Sequence, residues 1–210
     1  MKDKIIKNFK WIVLIICLIL FFAILEDVLE SEMFKFDNAV YTTISKFISE
    51  PVTIFTKILT TIGSAYVIIP VCLISVIIFL IKKEKRKSIY IFANLITIFL
   101  SNQLLKGIIQ RPRPEGFRMI EETGYSFPSG HSMVSMAFYG LYIYMIYKGI
   151  KNKYLKWTLI ALIGVLIIGI GISRIYLGVH YASDVIAGFC LSISYLVLFI
   201  SLTRINENHK

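Results

Sequence analysis

"WIVLIICLILFFAIL", residues 11–25, carries no charge, and Lys2, Lys4, Lys7 and Lys10 stand in front of it. A basic start before an apolar run is either a cleaved secretory leader or a retained membrane anchor. No small-residue cleavage site follows; the chain continues as "FFAILEDVLE", so the stretch reads as an anchor. That reading sets the class of the whole chain. A bilayer-spanning helix needs ~20 mostly apolar residues, and segments near that length fall at 9–27, 64–81, 88–107, 130–147, 155–173 and 183–203. The composition agrees, at 57% hydrophobic residues with a mean hydropathy of +0.74, well beyond a soluble domain. The expected fold is an all-α integral membrane protein, a six-transmembrane-helix bundle forming a single membrane-embedded domain over residues 1–210.

Charge gives the expected orientation. With six spans alternating, the side that holds the N-terminal tail also holds "KKEKRK" (Lys82–Lys87), Lys148, Lys151, Lys153, Lys156, Arg204 and Lys210. That side carries 15 of the 23 basic residues but only three of the 13 acids, Asp3, Glu84 and Glu207. The positive-inside bias then makes both termini cytoplasmic and turns 28–63, 108–129 and 174–182 outward. The net charge of +10 is thus a matter of topology, and no nucleic-acid partner is expected. Cys17, Cys72 and Cys190 all lie in apolar runs without C-x-x-C spacing, which excludes a disulfide framework or zinc site. The outer stretch 31–63 has apolar residues at helical spacing with polar ones interspersed. One or two interfacial helices fit it, with a passive connector as its simplest role and a lid or mouth for a lipid site as the alternative.

On the outer side, polar residues collect in three blocks: "KGIIQRPRP" (Lys106–Pro114), "PSGH" (Pro128–His131) and "SRIYLGVHYASD" (Ser173–Asp184). Singly, each has an ordinary explanation: a snorkelling lysine, a helix cap at Ser129, an Arg174–Asp184 ion pair. All three stand at span ends on one face, where ionisable residues are costly unless they pair or serve a site. Their chemistry converges on phosphate. Lys106, Arg113 and Arg174 are cations, and arginine can grip a phosphoryl group bidentately. A helix starting at "PSGH" offers its N–H groups and positive dipole end to an anion, and Gly130 allows close approach. His180 and Asp184, four apart, share a helix face. An acceptor at Asp184 for the Nδ1 proton leaves Nε2 free to attack phosphorus, and His131 is placed to protonate a leaving oxygen. No carboxylate cluster or His-x-x-x-His accompanies them, so no metal and no other cofactor is expected.

These three blocks resemble the three signature blocks of the type 2 phosphatidic acid phosphatase superfamily, and most of all its bacterial membrane branch of phosphatidylglycerophosphatase B-like lipid phosphatases. The motifs cover 106–184, and the six-span layout extends the likeness over nearly the whole chain. The resemblance implies a membrane lipid phosphatase of the bacterial plasma membrane, with an extracytoplasmic site near the outer leaflet. It implies His180 as a nucleophile forming a phosphohistidine, Asp184 orienting it and His131 as general acid. Lys106, Arg113, Ser129, Gly130 and Arg174 would bind phosphate. Arg111 lies outside the motif and would serve only to attract headgroups. The substrates implied are phosphatidylglycerophosphate, phosphatidic acid or undecaprenyl pyrophosphate, drawn from the bilayer without an obligate protein partner. A vanadate-binding variant of the site belongs to soluble oxidases that lack six spans. The alternative from another class is a transporter or lipid-binding protein with an anion site, which predicts charges at mid-span and paired broken helices.

Overall fold

The computed structural model describes residues 2–30, 35–116 and 118–203, with the backbone alone described for 2–8. Residues 31–34 of the long connection and Arg204, Glu207, His209 and Lys210 of the tail lie outside the described residues. Eight helices follow in order: α1 (Lys2–Leu29), α2 (Lys35–Ser45), α3 (Glu50–Ile62), α4 (Ala65–Ile81), α5 (Lys85–Ile109), α6 (Gly130–Gly149), α7 (Lys153–Tyr176) and α8 (Ala182–Thr203). Among the described residues there is no strand. Each of the six apolar segments lies in a helix.

Local chemistry sets the ends. Asn152 caps α7 by accepting from Leu155 N at 3.1 Å, and Pro51 occupies the first turn of α3, where its missing N–H costs nothing. α5 stops at Gln110, which turns left-handed at φ 53°. Pro112 and Pro114 then deny the chain a helical continuation.

α6 packs against α5, α7 and α8, while α8 also carries α1, α4 lies on α5, and α3 runs along α7. Apolar side chains cannot favour one another over lipid, so close packing and interhelical hydrogen bonds hold such a bundle, at ~0.6 kcal/mol per bond. Asn94 Nδ2 donates to Ala137 O at 3.1 Å and Ser192 Oγ to Met133 O at 2.8 Å. Gly188 brings α8 so near α6 that a Cβ there would stand 3.2 Å from Ser129 O.

Four of these helices are long and apolar enough to cross a membrane: α1 from Phe9, α5, α7 and α8. α3 and α4, bent by 42°, make a fifth when taken as one broken span. α6 does not qualify on composition, and its setting explains why. Ser132, Met133, Ser135, Ala137, Phe138 and Leu141 are all buried, so α6 faces helices where an outer helix faces lipid.

The 31–63 connection differs from a passive linker. Its two helices dock onto the bundle, α2 against α7 and α8 and α3 against α7 and α4. Each inserts a buried polar side chain, Asp37 from α2 and Thr56 and Thr60 from α3.

Candidate active site

The end of α7 and the start of α8 place the central pair. α7 closes in a Schellman motif around Gly178, whose φ of 71° suits glycine. Gly178 N donates to Ile175 O at 3.0 Å and Val179 N to Arg174 O at 3.2 Å. His180 N takes the same Arg174 carbonyl at 3.2 Å, which seats the imidazole directly beyond the helix. Asp184 lies in the first turn of α8 and reaches back to Tyr181 N, with its Oδ2 at 2.9 Å, as the third residue of a capping box does. The same oxygen meets His180 Nδ1 at 3.3 Å, so the i,i+4 contact expected from spacing is present. On the other side of the ring, His180 Nε2 stands 3.2 Å from Arg113 Nη1. A guanidinium only donates, so Nε2 is the acceptor and the proton sits on Nδ1. Burial, together with Arg174 and Arg113, pushes the His180 imidazole down to about 4, against the opposing pull of Asp184.

"PSGH" begins a helix, as the sequence indicated. Ser129 caps α6, its Oγ accepting from Ser132 N at 3.4 Å and lying 3.0 Å from Ser132 Oγ. Ser129 N donates to Asp184 O at 3.1 Å, which ties the starts of α6 and α8 together. Ser129 is fully buried and is absent from the cavity wall, whereas Gly130 and His131 line it. Asn102 of α5 supports this corner by donating to Pro128 O at 3.1 Å. A Cβ on Gly130 would stand 3.0 Å from Asn102 Oδ1, so Gly130 is needed for packing as well as for an open helix end. Lys106 donates to Tyr125 O.

The two arginines are held by a residue outside the three blocks. Glu122 bridges them, with Oε1 on Arg174 and Oε2 on Arg113 at 3.2 Å. Burial acts to raise the Glu122 carboxyl, but Arg174 and then Arg113 outweigh it and hold it below the usual carboxylate range. Arg174, only 1% exposed, also donates to Thr60 Oγ1 at 2.7 Å, and its Nε has no protein acceptor. Arg113 donates further to Gly124 O and Val179 O, both at 3.0 Å. Arg174 and Asp184 thus pair with Glu122 and Arg111 respectively, and the ion pair between them that spacing allowed does not form.

Arg111 departs from its expected role as a headgroup attractor. Its side chain is 11% exposed, with Nη1 on Asp184 Oδ1 at 2.6 Å and Nη2 on Asp37 Oδ2 at 3.1 Å. Only faint local signals point to Asp37 and Glu122: an acid in the first turn of a helix-like stretch, and a carboxylate beside arginines. Thr60 carries no such signal.

Lys106, Arg113, Glu122, Gly130, His131 and His180 line one cavity of about 720 Å³. Its remaining wall is largely apolar, with Ile68 and Ile69 of α4, Leu95, Ile96 and Phe99 of α5 and Val134 of α6. The site therefore has a cationic end that holds His180 and an apolar flank toward the lipid-facing helices. Among the described residues no group of three or more His, Cys, Asp or Glu is arranged to hold a metal ion.

Known proteins resemble this chain in sequence and in fold. Phosphatidylglycerophosphatase B of Bacillus subtilis is 39% identical over 113 residues, covering 53% of this chain and 54% of that protein. Undecaprenyl-diphosphatase of Sulfolobus acidocaldarius is 28% identical over 149 residues, covering 67% of this chain and 66% of that one. The chain thus spans only about half to two thirds of these curated relatives. The crystal structure of a transmembrane PAP2 type phosphatidylglycerolphosphate phosphatase from Bacillus subtilis superposes with a TM-score of 0.81 at 26% identity, over 96% of this chain and 98% of that one. The model of the PAP2 superfamily matches residues 86–207, more than half of the chain and all three blocks, and the chain belongs to that superfamily.

Proposed function

We propose that this protein is a membrane lipid phosphatase that hydrolyses a phosphate monoester or pyrophosphate of a lipid through a phosphohistidine on His180. The observation that carries the reading is the state of His180, with Nδ1 on Asp184 and an unprotonated Nε2 turned to a cationic cavity. In the first step Nε2 attacks phosphorus and the bond to the lipid oxygen breaks, with His131 giving that oxygen its proton. In the second, water loses a proton to His131 and attacks the phosphohistidine, releasing inorganic phosphate. Arg113, Arg174, Lys106 and the N–H groups at Gly130 and His131 balance the charge on the phosphoryl oxygens. A phosphoryl group entering this seat displaces Glu122 and takes over both guanidinia, and the spare Nε of Arg174 gains an acceptor. Asp184, buried and fixed by Tyr181 N, orients the imidazole.

The reading includes six spans, with α6 as the central one and α3–α4 as a broken one. It includes one domain over the whole chain, cytoplasmic termini and a site at the outer face of a bacterial plasma membrane. It also includes metal independence, since side-chain cations and a helix terminus stand where a metal would neutralise phosphate. The substrates it admits are phosphatidylglycerophosphate, phosphatidic acid and undecaprenyl pyrophosphate. The test is phosphate release by the purified protein in detergent from each of the three, with excess chelator and with orthovanadate, whose five-coordinate form resembles the transition state. Release that survives chelator and stops with orthovanadate is expected. No release from any of them favours a transporter or lipid-binding role, and loss with chelator restored by Mg²⁺ overturns the metal-free mechanism.

A further inference from the structure

We propose that Arg111 and Asp37 are positioning residues that set the geometry and field of Asp184 and, through it, of His180. The proposal rests on the phosphatase reading for its kinetic test and on the geometry alone for its second test. Asp184 is fully buried, and its two oxygens are divided. Oδ2 serves His180 and Tyr181 N, while Oδ1 receives Arg111 at 2.6 Å, the shortest of its three contacts. Charge-assisted bonds of that length are about twice as strong as neutral ones, so Arg111 is the main restraint on the carboxylate's rotation.

Arg111 is itself clamped. Its guanidinium lies 4.0 Å over the Tyr181 ring, donates to Ser183 Oγ at 2.8 Å and meets Asp37 at 3.1 Å. Asp37 is anchored in turn by Ser183 N at 2.8 Å and Ser183 Oγ at 2.7 Å. Charges therefore alternate across three separate elements: Asp37 of α2, Arg111 after α5, Asp184 of α8, then the imidazole. A headgroup attractor would be exposed and unrestrained, and Arg111 is neither.

The field has a direction. His180 is faced by Asp184 and Glu122 as anions and by Arg113, Arg174, Lys106 and His131 from the other elements. Arg111 faces Asp37, Asp184 and the Tyr181 ring, and Tyr181 in turn feels Arg111, Asp184, Asp37 and Glu115. Arg111 draws on the carboxylate that would otherwise favour a protonated ring, and Asp37 offsets Arg111. Removing the cation should raise the pH at which His180 protonates, and removing the Asp37 charge should lower it. Because His180 must be unprotonated to attack, activity is retained above that pH and lost as pH falls through it.

The experiment measures kcat, KM and the acid limb of kcat/KM on phosphatidic acid for the parent, Arg111→Gln, Arg111→Lys and Asp37→Asn. Arg111→Gln should lower kcat at least roughly tenfold, as loss of a supporting partner does, with KM changed little and the limb moved up by about half a pH unit or more. Arg111→Lys should restore the limb, and Asp37→Asn should move it down. The limb's position does not depend on how much protein is folded, and Asp37→Asn with Arg111→Lys carry the test if Arg111→Gln fails to fold. A raised KM at unchanged kcat would make Arg111 a headgroup contact, and an unmoved limb in every variant would leave it a purely structural ion pair. Either result overturns the proposal. NMR titration of the His180 ring in parent and Asp37→Asn protein reads the same shift without turnover, so the relay stands or falls separately from the phosphatase reading.

Discussion

Both ends of the helix bundle gather cations, and they hold them in opposite ways. At the end that carries the three blocks, Arg111, Arg113 and Arg174 are buried or nearly so, and each is matched to a named carboxylate. At the other end Lys82, Lys83, Lys85, Arg86, Lys148, Lys151 and Lys153 are exposed. Lys87 there pairs with nearby Glu84 and lies over Phe79, while Lys156 lies over Tyr147. Exposed pairs are worth ~0–1 kcal/mol, whereas breaking a buried pair costs ~3–5 kcal/mol. Charge at the lysine end therefore acts by its sum and sign, which is what orienting a chain in a bilayer requires. Charge at the arginine end acts by its geometry.

The largest effect should come from the histidines. His180→Ala should abolish phosphate release from every ester. His131→Ala should cost ~10²–10⁴-fold on phosphatidic acid, whose alkoxide needs a proton to leave, and far less on a lipid pyrophosphate. Equal losses across substrates would recast His131 as a phosphate ligand.

Next comes the comparison of the two ends proper. Arg174→Lys keeps the charge and loses the fork, and should raise the barrier by ~2–4 kcal/mol, as loss of an oxyanion donor does. Lys153→Arg at the opposite end should leave turnover unchanged. Matching effects at the two positions would dissolve the distinction between summed and placed charge.

A smaller change is expected from Glu122→Gln. Without its charge the two arginines lack their bridge, so the variant should melt lower than the parent. Orthovanadate should bind it severalfold tighter and restore more of its melting temperature. Weaker orthovanadate binding would mean that Glu122 prepares the arginines for phosphate and does not occupy its seat.

The last test reads orientation and should leave activity intact. A cysteine at Glu121 should react with an impermeant thiol reagent in whole cells, and one at Lys85 should not. The reverse pattern would place the site in the cytoplasm.

The sequence made much of this legible, for reasons that can be named. Helices in lipid announce themselves by length and apolarity, so α1, α5, α7 and α8 could be read directly as spans, and the helix start at "PSGH" from its capping residue. The spacing of four anticipates the His180–Asp184 contact, but His180 stands before α8, which begins at Ala182, so the turn at Tyr181 and not a shared helix face brings the two together. Partners across the chain have no such local mark. Asp37 meets Arg111 over a separation of 74 residues, and Thr60 meets Arg174 over 114. Spacing within a block says nothing of such pairs. The same limit explains why Arg111 looked like a surface charge and why 31–63 looked like a linker. α6 was read as a span from its aromatic run, although the helices around it, and not hydropathy, make its setting apolar.

The cavity's size has one more consequence. About 720 Å³ is the volume that encloses a drug-sized molecule, and a two-chain glycerolipid or an undecaprenyl chain is larger than that. On the lipid phosphatase reading, only the headgroup and the first stretch of chain would fit inside, and the rest of the molecule would stay dissolved in the bilayer throughout the reaction. The membrane thus serves as the second half of the binding site, and it reads no detail of the tail. Saturation of such an enzyme follows the mole fraction of substrate in the two-dimensional solvent, and diluting the lipid with inert lipid slows it even when the bulk concentration is held constant.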